Sequence, residues 1–247
     1  MFMQRIRRAT YKHRKLLNVV VAVLCIGMVS SFAYWNSDSN KGGSSTEVSA
    51  ADQVAAYETY IADNEPADMS SVDYGGATGM ASMYMQLSEY CLKAYSEALA
   101  AGSAQAADYS ARSRDAAAKA AAYYLMATDL APDTMNDLAI AQLYTNRANA
   151  LFYAGELDQA RALFEEAVAK EPDEFSVHGS YAGFIFNVDG LEAAEAYLNA
   201  YMAELDTASE NYASAEELLN RYRFLNDVYG MGGGATPAEP EPEAAAE

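Results

Sequence analysis

The sequence predicts an all-α protein in which stacked helix pairs stand outside a membrane behind one N-terminal spanning helix. Three observations lead there. From 50 to 230 apolar residues recur at helical spacing, and only Pro66, Pro132 and Pro172 occur in that stretch. Within it Ala148, Leu151, Leu157, Ala160 and Phe164 recur 34 residues later as Ala182, Ile185, Leu191, Ala194 and Leu198. The first 37 residues contain no acid, and an apolar run from 16 to 35 follows a basic start.

Arg5, Arg7, Arg8, Lys12, Arg14 and Lys15 fill the segment 1–15. Such a flank stays in the cytoplasm, so residues 16–35 read as a signal anchor in a single-pass membrane protein. About 20 residues rising ~1.5 Å each just cover ~30 Å of hydrocarbon. Phe32, Tyr34 and Trp35 suit the outer headgroup boundary. Ser31-Phe32-Ala33 also fits the alternative of a secreted protein cleaved near Ala33. Both routes place the remainder across the cytoplasmic membrane. There ten cations face all thirty-five acids, a balance near -25. Cys25 lies in the apolar run and Cys91 on a predicted helix, so no intramolecular disulfide follows. Residues 36–49, rich in Ser, Asn and Gly, read as a flexible stalk.

The helical domain spans 50–230. A short helix over 51–64 presents Val54, Tyr57 and Ile61 on one face, and 63–79 reads as a loop. Next comes an overlong pair: Tyr84, Leu87, Ser88 and Cys91 on its first helix, Ala120, Tyr124 and Ala127 on its second. Residues 95–112 lengthen both helices, with Gly102-Ser103 as the bend. The first clear repeat covers 141–174. Tyr144, Ala148 and Leu151 share one face, Gly155-Glu156 turns the chain, and Leu157, Ala160, Phe164 and Ala167 face back until Pro172 stops the helix. The second repeat covers 175–208 and keeps the register. Residues 209–229 form a cap, with Tyr212, Leu218, Leu219, Tyr222 and Leu225 inward. The Gly, Pro, Glu and Ala of 231–247 predict a disordered acidic tail.

The 34-residue period and this residue pattern resemble the tetratricopeptide (TPR) repeat. The resemblance is close over 141–208 and weaker over 80–132, and Arg147 departs from it where the family usually has Leu. It implies a right-handed TPR-like helical solenoid with two clear repeats, one irregular repeat and a capping helix. The layout is similar to that of bacterial membrane-anchored TPR proteins of the cell envelope.

By the same resemblance, the first helix of each repeat lines a partner-binding groove. Its positions fall at Gln142, Thr145, Asn146, Asn149, Phe152 and Tyr153, then at Ser176, Gly179, Ser180, Gly183, Phe186 and Asn187. The lining is amide, hydroxyl and aromatic, suited to an extended or helical peptide. Chaperone-binding relatives clamp a C-terminal carboxylate with Lys and Arg here, and of such a set this groove shows only the neutral Asn149.

Other functions find less support in the residues. A domain near -25 repels nucleic acid, so a neutral or basic protein or peptide partner is expected. No catalytic motif is present, and no cofactor or metal is expected: Glu165-Glu166 and Glu216-Glu217 are adjacent on helices and diverge. His178 and Cys91 read as packing residues, and Glu166 with Lys170 as an i,i+4 surface pair. The expected function is a membrane-anchored, extracytoplasmic adaptor or scaffold, not an enzyme. The alternatives are a translocon-associated or chaperone-like periplasmic factor and a self-assembling envelope subunit, so a homo-oligomer stays open.

Overall fold

A computed structural model describes residues 49–230, and these are all-α: eight α-helices and one 3-10 turn, with no strand. The basic segment 1–15, the expected spanning helix 16–35, the stalk to residue 48 and the tail 231–247 lie outside the described residues. Among the described residues no helix is long and apolar enough to cross a membrane.

Helix α1 (Ala50–Asn64) starts where the Ser49 hydroxyl accepts the Asp52 N–H, and it buries Val54 and Ile61. A 3-10 turn (Met69–Ser71) follows. Helix α2 (Tyr74–Ala100) begins inside the stretch expected to be a loop to 79. The Asp73 carboxylate accepts the Gly76 N–H at 2.7 Å. That N-cap offsets the poor helix propensity of Gly75, Gly76 and Gly79. Gly102, at φ +67°, makes the bend into α3 (Ala106–Asp129), as expected from its freedom in the left-handed region. Helices α2 and α3 pack closely because Ala81, Ala94, Ala116, Ala117, Ala120 and Ala121 lie between them or beside them, all buried. The hydroxyls of Ser88 and Ser113 satisfy each other inside this contact at 2.9 Å.

Helix α4 (Asp137–Ala154) starts four residues before the expected 141, because Asn136 caps it by accepting the Ala139 N–H. It ends at Gly155, whose φ of +92° needs a residue without a Cβ. Then come α5 (Leu157–Lys170), α6 (Phe175–Val188), α7 (Leu191–Ala203) and α8 (Glu210–Tyr229), the last capped by Ser209. From α3 to α8 each helix packs on the next, and α4 also meets α6 while α6 meets α8.

The 34-residue correspondence holds in burial. Ala148 and Ala182 are both fully buried, as are Ala160 with Ala194 and Phe164 with Leu198, and Leu151 and Ile185 are buried alike. Leu157 breaks the match: it is exposed, at the first residue of α5 beside the turn, whereas Leu191 is half-buried. The expected Glu166–Lys170 pair is also absent from the ion pairs. Lys170 instead places its ammonium 5.5 Å from the centre of the Tyr144 ring. In α8, Leu219 and Tyr222 are buried as expected, but Phe224 and Val228 stand 59% and 53% exposed.

Phe164→Ala should destabilise the domain by about 3–5 kcal/mol in chemical denaturation, because the ring is fully buried and leaves a cavity. Phe224→Ala should stay within about 0.5 kcal/mol of wild type. Similar losses for both would contradict the packing.

Candidate functional site

Helices of the pairs present their outward residues at steps of ~100°, so Gln142, Asn146, Asn149 and Tyr153 form one stripe along α4, roughly 16 Å long. Gln142 and Asn146 are exposed, and Asn149 and Tyr153 half-buried. The amides of Gln142, Asn146 and Asn149 make no hydrogen bond within the described residues. Their donors and acceptors therefore point at solvent or at a ligand.

The rest of the expected groove divides. Thr145 is 7% exposed, under the α4 surface and out of a ligand's reach. It sits on the side of α4 that carries Ala141 and Ala148, which are fully buried. Phe152 turns partly into the core, its ring edge-on to Phe184 at 5.6 Å and tilted on Tyr153 at 5.6 Å. On α6 Ser176, Ser180, Gly183 and Asn187 follow one line, of which only Ser176 is exposed and the others half-buried. Ser180 donates to the Ser176 carbonyl and Asn187 to the Gly183 carbonyl, both within their own helix. Phe186, expected in the groove, is 3% exposed because Tyr222 of the cap stacks on it at 4.4 Å, nearly parallel. A Cβ at Gly183 would come within 3.3 Å of the Tyr222 hydroxyl, and one at Gly179 within 3.7 Å of Leu218. Helix α8 thus covers the part of α6 that carries Gly179, Gly183 and Phe186. What remains open is mostly the α4 stripe with Ser176.

The titratable groups buried elsewhere are spoken for. His178 is 6% exposed; its Nε2–H donates to the Pro172 carbonyl at 2.8 Å, and its Nδ1 accepts the Tyr197 hydroxyl at 2.7 Å. Its ring stacks on Tyr201 at 3.8 Å. Burial holds its pKa below the ordinary 6.5, against smaller upward pulls from the Pro172 carbonyl, Asp173 and Glu204. The Cys91 thiol is fully buried and is pushed up to about 11, mainly by burial. Near α1, the Tyr84 hydroxyl donates to Glu65 at 2.7 Å while Lys119 donates to Tyr84 at 3.1 Å. Burial, then Glu65, raises the Tyr84 pKa, so that hydroxyl stays protonated as a donor. Tyr123 also donates to Glu65, and its pKa is pushed up to about 12 by burial first. This cluster ties the end of α1 to α2 and α3. Among the described residues no group of three or more His, Cys, Asp or Glu is placed to hold a metal ion.

Comparison with protein-family models, with curated proteins and with solved structures gives no match for this chain.

Sequence reasoning missed one feature of the site, a cleft around Arg147 on the other side of α4. The signal was present in the departure of Arg147 from the apolar pattern. It forms because α3 and α5 each pack on α4 and flank it, which no local spacing encodes.

The His178 contacts set a pH dependence. The folded state binds this proton more weakly than the unfolded chain, so its contribution is complete above the ordinary value near 6.5. It is lost as pH falls from there through the depressed folded value. Wild-type stability should therefore decline as pH falls below about 6.5, and His178→Gln should flatten that slope. The variant should cost about 1–3 kcal/mol at pH 7 by leaving the Tyr197 hydroxyl without its acceptor. Equal slopes in denaturation curves across pH would contradict this.

Proposed function

We propose that this protein is a membrane-anchored, extracytoplasmic adaptor or scaffold. It binds a protein or peptide through the open face of α4 in a short TPR-like solenoid. The observation that carries the reading is the α4 stripe: three amides with no partner of their own, followed by a tyrosine, on a helix fixed on both sides by packing. Amides in line with an aromatic ring suit the backbone and side chains of a peptide. The repeat reading draws support from the matched burial at an offset of 34 and from the succession α4, α6, α8. The surplus of acids after residue 37 favours a neutral or basic partner. Anchoring rests on the sequence of residues 1–35.

One observation favours a second reading, the self-assembling subunit: Phe224 and Val228 lie one turn apart and exposed on the last helix.

Crosslinking from the native membrane, followed by pull-down of the full-length protein, tests both. Asn149→Ala with Tyr153→Ala should lose at least ten-fold of a specific partner that wild type retains. A partner set unchanged in the double variant would sink the adaptor reading as stated here. Self-crosslinks that disappear in Phe224→Ser would carry the second reading.

A further inference from the structure

Helix α4 has a second, half-buried side that opens on a cleft. Arg147 lies roughly 130° around the helix from the amide stripe at ~100° per residue, and faces a cleft of about 420 Å³ between α3, α4 and α5. Leu125, Tyr144, Leu151 and Leu163 give this cleft apolar walls. Leu125 is 40% exposed there. The Arg147 Nε is buried without a hydrogen-bond partner, and no ion pair reaches this guanidinium within the described residues. A buried donor without a protein acceptor is costly, so a ligand oxygen placed on this guanidinium would be favoured.

Arg147 and Leu151 are one turn apart. The missing acceptor and an aliphatic group therefore have to arrive within about 6 Å of each other. A planar guanidinium fork matches a carboxylate, and Lys170, held over Tyr144, places a second cation near the cleft wall. Asp129 and Glu166 also line the cleft. They oppose a multiply charged anion such as phosphate and favour a cation next to the single carboxylate.

We propose that this cleft binds the C-terminal end of a partner peptide: an aliphatic last residue, its free carboxylate on Arg147, and a basic residue upstream toward Asp129 and Glu166. The site is separate from the amide stripe and does not rest on it. The occupant is a neutral or basic chain whose one anion sits at its end.

Fluorescence anisotropy on the purified full-length chain tests this with the labelled peptide fluorescein-Gly-Lys-Ser-Gly-Leu, its C-terminal amide, and octanoate as competitor. The free acid should bind at least ten-fold tighter than the amide. Arg147→Gln and Arg147→Leu should each lose at least ten-fold, while Asn149→Ala with Tyr153→Ala leaves affinity unchanged. Arg147→Leu should melt no lower than wild type, since it removes an unsatisfied donor, which separates lost binding from lost folding. Equal binding of acid and amide, undiminished binding by Arg147→Leu, or no binding of the acid up to millimolar concentration overturns the proposal. Octanoate competing as well as the unlabelled peptide, with the same dependence on Arg147, overturns the assignment to a peptide end.

Discussion

Close approach of backbones, made possible by alanine, is the constraint on which the rest of this fold depends. Ala148, Ala160, Ala167, Ala182 and Ala194 are fully buried. With only a methyl group at each crossing, large rings from neighbouring helices can interlock above and below it. Phe164 stacks on Tyr181 at 5.4 Å and meets Phe184 at 5.3 Å. Phe184 receives Phe152, and Tyr181 receives the edge of Tyr197 at 5.0 Å. The rings thus join α4, α5, α6 and α7 in one connected set. A larger residue at any of those alanines would push the helices apart and uncouple the rings together. The outward direction of α4, and hence of its amide stripe, follows from that set.

The N-terminal half uses the same constraint with different fillers. Between α2 and α3 the alanines are joined by Cys91 and by the Ser88–Ser113 hydrogen bond, small groups whose polar atoms are satisfied or nearly apolar. Here too rings bridge the helices, since Tyr84 stacks on Tyr123 at 5.8 Å, and the two helices run 27 and 24 residues. Its open edge is closed by α1. There Glu65 accepts from both Tyr84 and Tyr123, while Arg112 pairs with Glu58 of the same helix. Polar ties are tolerated here because Glu65 and Lys119 stand exposed at the rim and each buried tyrosine hydroxyl has its partner.

Much of the helix order was legible because its signals are local. The Gly155 turn, the Gly102 bend and the cap at Ser209 each depend on residues within one turn. The same holds in reverse for the early start of α2, where the Asp73 cap outweighs three glycines that read as a loop. The groove was legible only in part. Among the described residues Gln142 and Asn146 stay exposed on that side of α4, and Asn149 half-buried. Phe186 closes because Tyr222, 36 residues on, stacks against it. The helical pattern of α8 predicts an apolar face, and where that face lands is a matter of tertiary docking. His178 was read as a packing residue, and packing is its role; its two hydrogen bonds arise from Pro172 and Tyr197 meeting it in space.

Charge explains why Arg147 differs from the other cations of this domain. Arg112, Arg161, Arg221 and Arg223 each hold a carboxylate, Lys119 lies on Tyr84, and Lys93 and Arg114 stand exposed in water. Exposed pairs of that sort contribute about 0–1 kcal/mol, and a solvated cation needs no partner at all. Arg147 has neither arrangement, since it is only part-exposed, its Nε is buried, and nothing among the described residues accepts from it. Leu at this position would join Leu151 and Leu163 in an apolar surface with no unmet donor. The arginine therefore lowers the stability of the free domain relative to that alternative. A ligand that brings its own oxygen removes the deficit, so the same residue that weakens the empty cleft strengthens the occupied one.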